Sequence, residues 1–171
     1  MAKKILKGLK EIWYIPFIII VVILINLFVY RPGVTVGESM EPTLHNHSPI
    51  IINLDCEIER KDVIVFSQEG EGWLVKRVIG LPGDTVQIKH NVIYINDEPI
   101  QDAVNIVMDD YGIAKEPVKL KDNEYFVMGD NRNNSSDSRE PSVGNIKRED
   151  IIGRAWLRIW PFNKFGILKH Q

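Results

Sequence analysis

The chain has 171 residues, a formal net charge of −2 and a single cysteine. Outside residues 1–11, which hold four lysines and Glu11, 17 basic and 22 acidic residues remain, and this balance of −5 argues against a phosphate-tracking nucleic-acid binder. With Cys56 alone, neither an intrachain disulfide nor a cysteine-rich zinc site can form, and Cys56 reads as a small apolar filler.

Residues 1–12 form a basic N-terminus with Lys3, Lys4, Lys7 and Lys10. Residues 13–30, WYIPFIIIVVILINLFVY, are interrupted only by Pro16 and Asn26, and this length predicts a helix crossing a hydrocarbon core of about 30 Å. Pro16 falls in the first turn, where a missing N–H costs little, and Trp13, Tyr14 and Tyr30 sit where interfacial aromatics are expected. Only Arg31 balances the upstream lysines, so the positive-inside bias predicts a single-pass plasma-membrane protein with a cytoplasmic N-terminus and an extracytoplasmic remainder, 31–171. The competing reading is a cleaved signal peptide. Its apolar region is usually about 7–15 residues long and ends in small residues, whereas the flank here is Tyr30-Arg31-Pro32-Gly33.

About 140 residues follow, enough for one substantial domain. Short apolar runs separated by turns predict strands over Pro49–Asn53, Asp62–Ser67, Trp73–Ile79, Thr85–Lys89, Val92–Asn96, Tyr125–Met128 and Ile151–Trp160. Leu81-Pro82-Gly83-Asp84 is a turn, and His90-Asn91 joins a hairpin. The expected fold class is mainly β: an antiparallel, closed or nearly closed barrel-like domain behind one N-terminal transmembrane helix. Residues 100–122 break the strand rhythm and are expected to form a small lobe or arm.

Chemistry enters at Gly37-Glu38-Ser39-Met40-Glu41-Pro42-Thr43-Leu44, six positions after the apolar run. A serine hydroxyl is a poor nucleophile until a neighbour accepts its proton. Lys76 lies in Trp73-Leu74-Val75-Lys76-Arg77-Val78-Ile79-Gly80. Strand alternation puts it on one face with Leu74 and Val78, and Arg77 on the other with Trp73, Val75 and Ile79. The pattern does not say which basic residue points inward. Lysine can surrender its proton when desolvated and arginine cannot, which favours Lys76 as a base. To be neutral near pH 7 it would have to titrate about 3 pH units below its ordinary value of about 10.4, a cost of roughly 4 kcal/mol to its charged form. His45 and His47 occupy a turn without a third ligand, so no metal site is expected, and nothing in the chain calls for a cofactor.

Three segments together resemble the type I (leader) signal peptidases, a family of Ser/Lys serine proteases. They are Gly37-x-Ser39-Met40-x-Pro42-Thr43-Leu44, the run from Lys76 to Asp84, and Gly129-Asp130-Asn131-Arg132 continuing to Ser135-x-Asp137-Ser138-Arg139, in the family's order behind an N-terminal anchor. The resemblance implies a membrane-anchored endopeptidase that removes signal peptides from exported preproteins, cutting after small residues through an acyl-enzyme. It implies Ser39 as nucleophile, Lys76 as general base and Ser135 as the hydroxyl orienting the Lys76 amine. Asp137 with Arg139, and Asp130 with Arg77, are implied as supporting ion pairs, and Met40, Leu44 and Leu74 as pocket residues. Some members carry a hydroxyl two positions before the nucleophile where this chain has Gly37, leaving the Ser39 backbone N–H as the oxyanion donor in hand.

Competing readings are another Ser/Lys endopeptidase of the same superfamily, a Ser/His variant using His45 or His47, and a catalytically silent membrane-tethered binding domain. Ser39, Lys76 and Ser135 together separate the first from the last. The partners expected are exported preproteins and the lipid bilayer.

Overall fold

The structure is a computed structural model describing residues 14–70, 72–102, 104 and 106–168, with residues 26–28 described by their backbone alone. The basic N-terminus and Trp13 lie outside the described residues. One helix, α1 (Tyr14–Phe28), precedes the strands, and its apolar side chains stand exposed rather than packed on the remainder of the chain. At a rise of 1.5 Å per residue its 15 residues span about 22 Å. Among the described residues no helix is long and apolar enough to cross a membrane. The apolar run is shortened at its C-terminal end because Tyr30 belongs to a strand: β1 (Tyr30–Val34) pairs antiparallel with β2 (Pro49–Asn53).

The remaining strands are β3 (Val63–Gln68), β4 (Gly72–Gly80), β5 (Thr85–Lys89), β6 (Val92–Ile95), β7 (Glu98–Pro99), β8 (Val118–Lys119), β9 (Glu124–Met128), β10 (Ile146–Lys147), β11 (Ile151–Arg158) and β12 (Gly166–Ile167). All pairings are antiparallel. The larger sheet has the order β1-β2-β11-β3-β4-β9-β10 with β12 on β11; the smaller has the order β7-β6-β5-β8. The expected barrel closure is not found among the described residues: the larger sheet is an open path ending at β1 and β10. Its edges are blunted instead. Pro32 removes a donor from β1, and β10 is only two residues long.

Each of the seven expected strands forms, within a residue or two. Two-residue loops explain the sharpest boundaries: His90-Asn91 and Asn96-Asp97 all hold positive φ, the geometry of turns whose twist matches antiparallel strands, so β6 stops at Ile95. The strand expected to reach Trp160 stops at Arg158, shortly before Pro161, which lacks an N–H and restricts the residue ahead of it. Residues 100–122 form a cap on the smaller sheet: Met108, Ala114 and Leu120 are buried there, and β8 pairs with β5.

The two sheets share a core through β9. Phe126 leaves the larger sheet to pack with Ile79, Val86, Ile88, Ile93 and Leu120. A second cluster gathers Met40, Leu44, Ile50, Ile52, Val63 and Val65, and a third Ile64, Phe66, Val78, Val127 and Ile151. Strand β4 borders all three. Truncating Phe126 to Ala removes a fully buried ring at the junction of the sheets, and denaturant titration in detergent is expected to read a loss of about 3–5 kcal/mol.

Candidate active site

Ser39 sits in a tight turn between β1 and β2. The turn is closed by the Glu41 N–H donating to the Glu38 carbonyl and the Leu44 N–H to the Met40 carbonyl. Its sides are pinned by the fully buried Leu44 and the nearly buried Met40, which pack under Ile50 and Ile52. Ahead of it Gly37 takes φ 94°, a left-handed conformation that favours glycine, and donates its N–H to Asn46 Oδ1 at 3.0 Å. Ser39 Oγ and Lys76 Nζ lie 2.6 Å apart.

Sequence left open which of Lys76 and Arg77 points inward; both do. Lys76 is 4% exposed and Arg77 1%. Alternation on β4 separates them, and each meets a different fate. Lys76 reaches the Ser39 hydroxyl. Arg77 is held by Asp130, donating from Nε at 2.7 Å and Nη2 at 2.6 Å, with further bonds to the Lys61 carbonyl and Thr43 Oγ1. A bidentate, fully buried pair of this kind retains its charge because each lost water contact is replaced.

The polar stretch from Asp130 to Glu140 folds back on β9. Val127 and Ser138 exchange bonds, the Ser138 N–H donating to the Val127 carbonyl and the Val127 N–H to Ser138 Oγ. Asp137 is fully buried and accepts from the Arg139 guanidinium, the Gly129 N–H at 2.9 Å and the Ser135 hydroxyl at 2.8 Å. Burial alone would push the Asp137 carboxyl up. The Arg139 guanidinium, aided by those two donors, outweighs it and holds the carboxyl below its ordinary range. Arg139 in turn donates to the Arg132 and Asp110 carbonyls, tying the loop's ends together.

This loop also grips the Ser39 turn. The Asn131 N–H donates to the Ser39 carbonyl at 2.9 Å, and Asn131 Nδ2 donates to the Glu38 carbonyl at 3.2 Å. Gly129 lies between: a methyl group there would overlap Ser135 Oγ and stand 2.5 Å from the Ser39 carbonyl oxygen. Ser135, Gly129 and Ser39 are therefore packed in one line. Sequence reasoning named Ser135, Asp137, Arg139 and Asp130 but assigned nothing to Gly129 or Asn131, although both lie within the same motif.

Leu74, half-buried, packs with the third cluster. Beside the dyad a hollow of about 50 Å3 opens between β1 and β4, walled by Val34, Ile50, Ile52, Val65, Trp73 and Val75. Met40 and Leu44 lie beneath its Ile50 and Ile52 walls. The hollow had no sequence signal of its own, because β1 was read as the end of the apolar run. Both ring nitrogens of His45 are engaged, with Glu41 Oε1 and with Lys164 Nζ, each at 3.1 Å. Among the described residues no group of three His, Cys, Asp or Glu is arranged to hold a metal.

Comparison with known proteins agrees with these motifs. Residues 9–160 match the family model described as signal peptidase, peptidase S26. Signal peptidase I S of Bacillus subtilis strain 168 is 40% identical over 163 residues, covering 85% of each chain. Signal peptidase I of Bacillus amyloliquefaciens is 41% identical over 162 residues, covering 85% of this chain and 84% of its own. A signal peptidase I from Enterococcus faecalis V583, known from its crystal structure, is 28% identical, with a TM-score of 0.49 over 58% of this chain and 97% of its own. The chain belongs to the signal peptidase family, peptidase S26, as a serine peptidase of the signal peptidase I type.

Two variants probe the scaffold. Gly129→Ala forces the Ser39 carbonyl or Ser135 to move and is expected to depress kcat in a preprotein cleavage assay far more than it lowers the melting temperature. Asp137→Asn leaves Arg139 buried without its counter-charge. Because the Asp137 carboxyl is held below its ordinary value of 3.8, its stabilisation is fully present above that value and is lost as pH falls through the lower, folded-state value. Urea titrations are expected to show a gap of about 3–5 kcal/mol between wild type and Asp137→Asn above pH 5, closing below pH 4.

Proposed function

We propose that Ser39 is the nucleophile and Lys76 the general base of a membrane-anchored endopeptidase that removes signal peptides from exported preproteins. The carrying observation is the 2.6 Å contact between Ser39 Oγ and a Lys76 Nζ almost wholly withdrawn from water. Burial disfavours an ammonium, and a neutral lysine amine is a competent proton acceptor for a hydroxyl. Neutral Lys76 accepts the Ser39 proton as Oγ attacks the scissile carbonyl carbon. The Ser39 N–H donates to the developing oxyanion, and the Lys76 ammonium returns the proton to the departing amine. Lys76 then takes a proton from the water that hydrolyses the ester.

The supporting groups act through position. Ser135, fixed by Asp137, orients the Lys76 amine; Asp137–Arg139 and Asp130–Arg77 hold the two motifs in register. Asn131 fixes the peptide whose hydroxyl attacks. The small hollow beside Val75, one residue from Lys76, suits a small side chain before the cleaved bond and excludes a bulky one by overlap. Met40 and Leu44 set its depth through Ile50 and Ile52, and Leu74 supports β4 from the other face.

The anchor is the apolar run 13–30 with the lysine-rich segment on its cytoplasmic side. In support, α1 is apolar all round and stands bare, which in water would be costly and in lipid is not. Its lead into β1 keeps the Ser39 turn close to the bilayer face where signal peptides emerge.

In a purified preprotein assay, Ser39→Ala and Lys76→Ala are each expected to lower kcat/KM by several orders of magnitude, with the double variant little worse than either single one. Lys76→Arg keeps the charge but cannot supply a neutral acceptor, so it is expected to be inactive. For the wild type, kcat/KM should rise with pH through the Lys76 titration, since only the deprotonated amine works. Activity in Lys76→Arg, or an acid limb unaltered by changes at Lys76, would sink this reading.

A further inference from the structure

On the side of β4 carrying Arg77, away from the dyad, a cavity of about 290 Å3 is lined by Pro42, Thr43, Arg77, Arg158, Lys164 and Ile167. Its charges do not cancel. Arg77 is neutralised by Asp130, but Arg158 makes its hydrogen bonds only to carbonyls, from Nε to Lys164 at 2.6 Å and from Nη1 to Thr43 at 2.5 Å. Lys164 Nζ meets only His45 Nε2. Neither Arg158 nor Lys164 has a carboxylate partner among the described residues. Burial draws the Arg158 guanidinium below its ordinary value, as expected of a cation that has lost water without gaining an anion. Two uncompensated cations around one cavity call for an anion.

The rim of the same cavity is apolar. Ile167 is both a wall of the cavity and exposed, and it continues into Trp160, Phe162 and Phe165, with Phe162 74% exposed and set edge-on to Trp160 at 4.6 Å. Three exposed aromatics and an isoleucine beside a basic cavity are costly in water and suited to the interface of a bilayer. The ladder ties this patch to the strand that follows the apolar helix: Val34 of β1 is paired with Pro49, whose carbonyl accepts from Ile159.

From this we infer that the cavity binds the phosphate diester headgroup of an anionic phospholipid, with Arg158 and Lys164 donating to the phosphate oxygens and Trp160, Phe162 and Phe165 lying among the proximal chain carbons. The lipid is committed to by the apolar rim, for which a free phosphate has no use. The inference rests on the membrane placement of the chain and is independent of the chemistry at Ser39.

The test uses the full chain in maltoside micelles, titrated with dihexanoyl phosphatidylglycerol, dihexanoyl phosphatidylcholine or inorganic phosphate, with retained molecules counted by native mass spectrometry. Phosphatidylglycerol is expected to be retained one per chain, about tenfold more tightly than phosphatidylcholine, and inorganic phosphate more weakly than either. Arg158 braces two carbonyls, so Lys164 carries the mutational arm. Lys164→Gln should weaken phosphatidylglycerol retention about tenfold at an unchanged melting temperature, and Lys164→Arg should restore it. Equal retention of the two lipids, no effect of Lys164→Gln, or inorganic phosphate bound as tightly as phosphatidylglycerol would each overturn the assignment. Cleavage is not read, so a failure of the Ser39–Lys76 reading leaves this outcome untouched.

Discussion

Holding a lysine amine 2.6 Å from a serine hydroxyl inside a protein is a constraint that most of this fold answers to. A buried lysine has no intrinsic reason to stay where it is put; charged, it seeks water, and neutral, it has little to hold it. The chain meets this by fixing everything around the amine. Lys76 is mid-strand, in register with Ile64 on β3, so its backbone cannot drift. Ser39 is pressed on it by a turn whose flanking side chains, Met40 and Leu44, are in the core. The second cation of the motif, Arg77, is consumed by Asp130 on the opposite face, which confines its charge to a separate, compensated pair.

The loop after β9 is the part that joins the two halves of the site. Asp130 binds β4, Asn131 binds the Ser39 turn, and Asp137 with Arg139 keeps the loop folded on its own strand. Gly129 allows the close approach: any larger residue would stand in the space shared by Ser135 and the Ser39 carbonyl. The smaller sheet and its cap reach this arrangement only through Phe126 and Met128, whose side chains anchor β9 from behind. Loss of packing there acts at a distance, by loosening the strand from which the loop starts.

How much of this was legible in the sequence depends on whether the signal was local. Strands β2 to β6, β9 and β11 follow from runs of β-branched and aromatic residues ended by turn-forming residues, and the His90-Asn91 hairpin from its turn alone. Strand β1 was hidden because Tyr30 ends an apolar run that reads as helix, and pairing with β2 is a tertiary fact. Closure into a barrel was expected from the need to protect edges, yet Pro32 protects one edge by itself. At the site, alternation placed Lys76 and Arg77 on opposite faces but could not foresee that both are buried, since burial of Arg77 depends on Asp130, 53 residues away. The Asn131 clasp and the uncompensated pair of Arg158 and Lys164 arise from residues distant in sequence, and no periodicity announces them.

Under the proposed reading everything turns on the protonation state of one amine, which 15N NMR of the full chain in micelles, labelled at lysine Nζ, observes directly. Lys76→Arg identifies the resonance. The account predicts that Lys76 Nζ titrates well below the other lysines and is largely neutral near pH 7, and that Ser39→Ala alters this titration because the hydroxyl is its neighbour. A Lys76 Nζ titrating with the remaining lysines near their ordinary value of about 10.4 would contradict it.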